Sequence, residues 1–147
     1  MRGFSCVALD NPKSAVNVGS VMRAAQVYDV GLIVISGNRF SRLKKNPTDT
    51  LKAWRHIPTV EVADVFDAQP YGSVPIAVEF ISEAQALPTF KHPQRAFYIF
   101  GAEDATLGKR ILDRCAHTIM VPTHYCMNLA ATVNVILYDR LAKGGME

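Results

Sequence analysis

Three residues spaced by three, Asn17, Ser20 and Arg23, are the first that could do chemistry in this chain. On a helix they share one face and present an amide, a hydroxyl and a guanidinium together. Arg23 brings a permanent charge and a planar donor fork suited to phosphate. The backbone N–H groups of a helix start favour anions in the same place. A solvated polar face, with Asn17 as the helix cap, explains the same residues. A second group follows the apolar run Phe97-Tyr98-Ile99-Phe100. Gly101 lets backbone approach a ligand closely, and Glu103 can accept hydrogen bonds from ligand or backbone donors. Read alone, such a pair is more often a turn and a helix start. The third group is Val121-Pro122-Thr123-His124-Tyr125-Cys126-Met127-Asn128-Leu129. His124 and Cys126 hint at metal or thiol chemistry, but no Cys-x-x-Cys or His-x-x-x-His spacing accompanies them. Neither the Gly-x-Gly-x-x-Gly fingerprint nor a P-loop is present, so a dinucleotide or a nucleoside triphosphate has no support.

These groups need elements to hold them. Apolar, β-branched runs recur at Phe4 to Leu9, Leu32 to Ile35, Val74 to Phe80, Ala96 to Phe100 and Thr118 to Val121. Most are short and continuously apolar, which predicts strands covered on both faces. Helical spacing predicts helices over residues 17–28, 107–115 and 128–143. Alternating strands and helices give an α/β fold of one domain with a mainly parallel sheet and helices on both its faces. All three groups then stand near strand ends, where open α/β sheets bind ligands. The last helix carries two apolar stripes. One is Leu129, Val133, Ile136, Leu137 and Leu141, the other Ala131, Val135, Tyr138 and Ala142, and Thr132, Asp139 and Lys143 form its polar stripe. Two stripes predict burial on both sides, either by the sheet and a second subunit or within one chain as a central helix.

At 147 residues and 49% hydrophobic, the chain can bury a core without covalent staples. Its three scattered cysteines, Cys6, Cys115 and Cys126, argue against a disulfide framework and for a reducing cytoplasm. No apolar run approaches the ~20 residues of a membrane span, and the N-terminus reads as a first strand rather than a signal peptide. The net charge is +3, yet six cations (Arg39, Arg42, Lys44, Lys45, Lys52 and Arg55) lie between Arg39 and His56 against one acid, Asp49. Such a patch suits a polyanion, and a solvated loop is the alternative. Loops of this length in compact domains are usually functional or mobile.

In order and spacing, the three groups resemble the three motifs of the SpoU (TrmH-like) branch of the SPOUT RNA methyltransferases. The resemblance covers nearly the whole chain. It rests on Asn17-x-Gly19-x-x-x-Arg23-x-Ala25, on Gly101-x-Glu103-x-x-x-x-Gly108, and on Val121-Pro122 followed by Cys126-Met127-Asn128-Leu129. It implies a C-terminal trefoil knot, a homodimer, and S-adenosylmethionine held in the knot by Val78, Glu79, Gly101, Glu103, Val121, Cys126, Met127 and Leu129. It implies a catalytic set of Arg23, Asn17 and Asn128, in a site shared between subunits, with no metal. The product would be a 2′-O-methylated ribose, with tRNA favoured over rRNA and the wobble nucleotide as one target. Arg39, Arg42, Lys44, Lys45 and Arg55 would grip the RNA. The third motif departs from the family pattern. Thr123 replaces Met, the loop is shorter and lacks glycine, and Cys126 and Ala130 stand where the family has Ser. A thiol is a weak donor beside a hydroxyl, so weak cofactor binding is expected.

Guanidinium stays protonated at neutral pH. Arg23 therefore either takes the ribose proton in a perturbed state or clamps a phosphate and stabilises the developing alkoxide. The second reading is the sounder one physically. Two other classes fit the sequence: a non-catalytic RNA-binding module that keeps the fold, and a small-molecule enzyme using Cys126 and His124.

Overall fold

The computed structural model describes residues 3–39 and 55–144. Arg42, Lys44 and Lys45 of the expected RNA grip lie outside the described residues. Seven strands form one sheet: β1 (Phe4–Asp10), β2 (Leu32–Ser36), β3 (Thr59–Val62), β4 (Val74–Val78), β5 (Gln85–Ala86), β6 (Arg95–Phe100) and β7 (His117–Met120). Their spatial order is β3-β2-β1-β6-β4-β7-β5, and every neighbouring pair is parallel. The last strand to be made, β7, thus lies between β4 and β5.

The central strands are covered on both faces, as their unbroken apolar runs require. Successive side chains alternate between two cores. Leu9, Ile33, Ile35, Ile76, Tyr98 and Phe100 pack on one side, under helices α1 (Ala15–Val27) and α3 (Leu129–Gly144). Cys6, Ala8, Val34, Ala77, Phe97 and Ile99 face the other core. That side is closed by the 3-10 turn Val65–Ala68 and the single-turn helix α2 (Lys109–Leu112).

Helix α1 is bounded by side-chain and backbone chemistry at both ends. Ser14 caps its start by accepting the Asn17 N–H, so Asn17 is not the cap but a first-turn residue with its side chain available. At its end Asp29 adopts a left-handed φ of 55°. The Val30 N–H then bonds back to Ala25 and the Asp29 N–H to Gln26, which satisfies two terminal carbonyls. The helix expected over residues 107–115 contracts to Lys109–Leu112: Gly108, at φ 72°, is its N-cap and not a helical residue, and the Arg114 and Cys115 N–H groups bond three residues back, not four. The strand expected to reach Phe80 ends at Val78.

Only one of the two apolar stripes of α3 is enclosed. Leu129, Val133, Ile136 and Leu137 are buried, whereas Val135, Tyr138 and Leu141 are exposed and Ala131 and Ala142 stand in solvent. Among the described residues nothing covers this second stripe. The polar stripe is not simply solvated either. Lys143 donates to the Leu87 and Phe90 carbonyls, and Arg140 donates to those of Phe4, Pro93 and Gln94. His92 bridges the Tyr98 hydroxyl at 2.6 Å and Asp139 at 2.8 Å. Burial is the largest influence on His92 and keeps its pKa below the ordinary value despite Asp139. The neutral ring then donates from Nε2 to Asp139 and accepts at Nδ1 from Tyr98. Among the described residues no helix is long and apolar enough to cross a membrane.

Candidate active site

The loops that leave β1, β6 and β7 carry the three groups of chemically capable residues, and the fold brings these loops together at the carboxyl edge of the sheet. One hydrogen-bonded chain links them. The Asn128 side-chain oxygen accepts the Ala130 and Ala131 N–H groups at 2.9 and 3.3 Å and so caps α3. Its amide nitrogen donates to Asn17 Oδ1 at 3.0 Å. Asn17 Nδ2 in turn donates to Glu103 Oε1 at 3.0 Å, while the Lys13 N–H donates to Glu103 Oε2 at 3.0 Å. Each amide is oriented by its neighbours, because a helix N-terminus supplies only donors at one end and a carboxylate only acceptors at the other. Burial raises the Glu103 pKa, but hydrogen bonds from its own N–H, the Asn17 amide and the N–H groups of Lys13 and Ser14 outweigh it and hold the carboxyl below its ordinary range.

Beside this chain lies a cavity of about 460 Å³, within the ~300–1,000 Å³ of small-molecule sites. Val78, Glu79, Gly101, Glu103, Val121, Cys126, Met127 and Leu129 all line it, together with Phe80, Met120, Thr123 and Thr132, which were not among the expected cofactor residues. Glu79 holds the loop after β6 by accepting the Leu107 N–H at 2.9 Å. A Cβ on Gly101 would sit 3.3 Å from the Ala105 carbonyl and 3.4 Å from Leu107, so this glycine lets the loop fold upon itself.

The basic residues expected at the site lie outside the cavity wall, and Cys126 lines it. Arg23 is exposed on the polar face of α1, where Asn17 and Ser20 also lie, and is not part of the cavity wall. Arg55 is exposed before β3. Arg39 is engaged with Asp104, at 3.0 and 3.1 Å. His124 and Cys126 are both exposed, and no described hydrogen bond joins them. Ser14, the Lys13 N–H and Asp104 complete the site without having stood out in the sequence. Only the position of Asp104 beside Glu103 could have marked it.

The residues present fit an adenosyl cofactor. Val78, Phe80, Met120, Val121 and Leu129 give apolar walls, and the loop of residues 101–106 borders them with polar backbone.

A model of the SpoU rRNA methylase family matches residues 5–138. The chain also superposes on the SpoU methyltransferase AviRb from Streptomyces viridochromogenes, crystallised with the cofactor AdoMet. The TM-score is 0.84 at 20% identity, over 98% of this chain and 62% of that one. Against the TrmH/SpoU tRNA modifying enzyme of A. aeolicus the TM-score is 0.83 at 15% identity, over 97% and 76% of the two chains. A structure described as giving insight into the 2-OH methylation of C/U34 on tRNA matches with a TM-score of 0.79 at 22% identity, over 97% and 92%. At these identities the likeness is one of fold. The chain spans 62% of the length of AviRb and 56% of that of an rRNA methyltransferase from Sinorhizobium meliloti. No curated protein matches it in sequence. With three motifs joined by one hydrogen-bonded chain and a family model running from β1 into α3, the chain belongs to the SpoU rRNA methylase family.

Proposed function

We propose that this chain transfers a methyl group from S-adenosylmethionine to a ribose 2′-hydroxyl of RNA, with tRNA favoured over rRNA and the wobble nucleotide as one target. The observation that carries this reading is the Asn128–Asn17–Glu103 chain beside the cavity. It ties the three motifs into one rigid rim, and alignment alone can supply much of a transfer rate. The tRNA preference draws support from the structure concerned with 2-OH methylation of C/U34 on tRNA, which matches over 97% of this chain.

The eight expected cofactor residues hold S-adenosylmethionine, which supplies an activated methyl group when bound. Asn17 and Asn128 position the rim. Arg23 binds a phosphate beside the target ribose and stabilises the oxygen as its proton passes to water, with S-adenosylhomocysteine as the leaving group. The exposed stripe Ala131, Val135, Tyr138 and Ala142 joins two copies of the chain, so that Arg23 of one copy works with the cavity of the other. The insertion of β7 between β4 and β5 supports a C-terminal trefoil knot around the cofactor. Arg42, Lys44, Lys45 and Arg55 contact RNA phosphates, and the enzyme works in the cytoplasm.

Incubating the protein with radiolabelled S-adenosylmethionine and tRNA or rRNA, then analysing the nucleosides by mass spectrometry, tests this. A 2′-O-methylated nucleoside is expected, and RNA from a deletion strain should lack the same mark. Cofactor binding without transfer to any RNA contradicts the reading. An absence of cofactor binding favours the non-catalytic RNA-binding module, which the substitution of Cys126 and Ala130 for serines would then explain.

A further inference from the structure

Arg39 follows β2 by three residues, and its guanidinium is inserted between loops rather than laid on the surface. Nη1 and Nη2 meet the two carboxylate oxygens of Asp104 at 3.0 and 3.1 Å. Nη2 also donates to the Asn11 carbonyl. Nε is enclosed and makes no hydrogen bond among the described residues. The arginine side chain is only 30% exposed. Lys13 adds a longer contact, its Nζ lying 3.8 Å from Asp104.

This arrangement is poor for gripping RNA. Both arms of the fork already hold a carboxylate in the bidentate geometry that a phosphate would need. A phosphate that took them would leave Asp104 with only the longer Lys13 contact. The arrangement is well suited to something else. Glu103 and Asp104 are consecutive residues of the cavity wall. Glu103 is held from one side by Asn17 and Lys13, and Asp104 from the other by Arg39. The loop of residues 101–108 is thus fastened at two consecutive carboxylates.

We propose that Arg39 is a positioning residue for the cofactor cavity: through Asp104 and the Asn11 carbonyl it holds the loop of residues 101–108 in the shape that receives the cofactor, and it is not a phosphate contact. The proposal rests on the cavity being the cofactor site. It separates Arg39 from the basic residues with which the sequence groups it.

Calorimetry with S-adenosylmethionine in the absence of RNA tests it, on wild type, Arg39→Ala, Asp104→Asn and the exchanged pair Arg39→Asp/Asp104→Arg. Each single variant is expected to weaken cofactor binding about tenfold, the scale on which contacts in one network couple. The exchanged pair should recover part of that loss. In methyl transfer, the KM for cofactor should rise while kcat and the KM for RNA hold. The slope of log RNA affinity against log salt should match wild type. Unchanged cofactor affinity in Arg39→Ala overturns the proposal. So does a salt slope flattened by about one unit, the mark of a lost phosphate contact, and so does an exchanged pair no better than either single variant. Asp104→Asn keeps shape and volume, so it decides the matter if Arg39→Ala fails to fold. Val121→Trp, which fills the cavity, separates the two readings. If it leaves cofactor affinity unchanged, the cavity is not the cofactor site, whatever Arg39 does.

Discussion

Asn17 works because it is an amide. Its nitrogen faces Glu103 and its oxygen faces Asn128, so no carboxylate of the same shape can take its place. Asn17→Asp sets an acceptor against Glu103 and should cost about 1 kcal/mol of stability at neutral pH, the net worth of a hydrogen bond lost. The loss should shrink as pH falls and the paired carboxyls protonate. Chemical denaturation at pH 7 and pH 4.5 checks both signs, and a pH-independent cost would mean the network is not carrying the charge described. Arg23 poses the opposite case. It sits exposed on α1 outside the cavity wall, so Arg23→Ala should move stability by less than about 1 kcal/mol and leave cofactor binding intact. Single-turnover methyl transfer should nevertheless fall by on the order of a hundredfold, as when an oxyanion-stabilising donor is removed. Arg23→Lys should rescue poorly because an ammonium lacks the planar fork. A near-normal rate in the alanine variant would remove Arg23 from the mechanism.

Among the elements, α3 is held at its far end by polar rather than apolar contacts. His92 sits neutral between Tyr98 and Asp139, with Arg140 and Lys143 of α3 nearby. Its folded pKa lies below the unfolded value of about 6.5. Between the two values the unfolded chain binds more protons, so stability rises with pH there. The contribution is complete above about pH 6.5 and is lost as pH falls toward the folded pKa. Thermal melting from pH 7.5 to 5 should show this slope in wild type and a flatter one in His92→Phe; identical slopes would refute the assignment.

The central strands and the long helices were legible because unbroken apolar runs and 3.6-residue spacing do not depend on partners. β3 was not, since Thr59–Val62 is an edge strand with two exposed residues and no distinctive pattern. β5 is two residues long and exists through its pairing with β7. The site was legible as three groups on the residues and as a single site only through the family resemblance. No spacing rule could show that Asn128 reaches Asn17 across 111 positions, or that Asp104 takes up the guanidinium of Arg39.

For the whole molecule, the exposed stripe of α3 leads to a self-association test. Val135→Asp puts a charge on this stripe, and an unpaired charge is costly to enclose. Light scattering should report twice the chain mass for wild type and the chain mass for the variant, with the isolated fold intact by circular dichroism. A wild-type monomer at micromolar concentration would rule out a site built from two copies. The order of the sheet has its own consequence, for the time course of synthesis. β4 and β5 are separated in the finished sheet by a strand made some thirty residues after β5. As the chain leaves the ribosome, the two can reach their final spacing only when residues 117–120 arrive to fill it, and α3 must follow to close the core above them. Every pairing in the sheet is parallel and non-local, the arrangement that folds slowly. A chain stopped before residue 117 should therefore keep an open seam between β4 and β5, with unpaired strand edges on both sides, and be prone to aggregate.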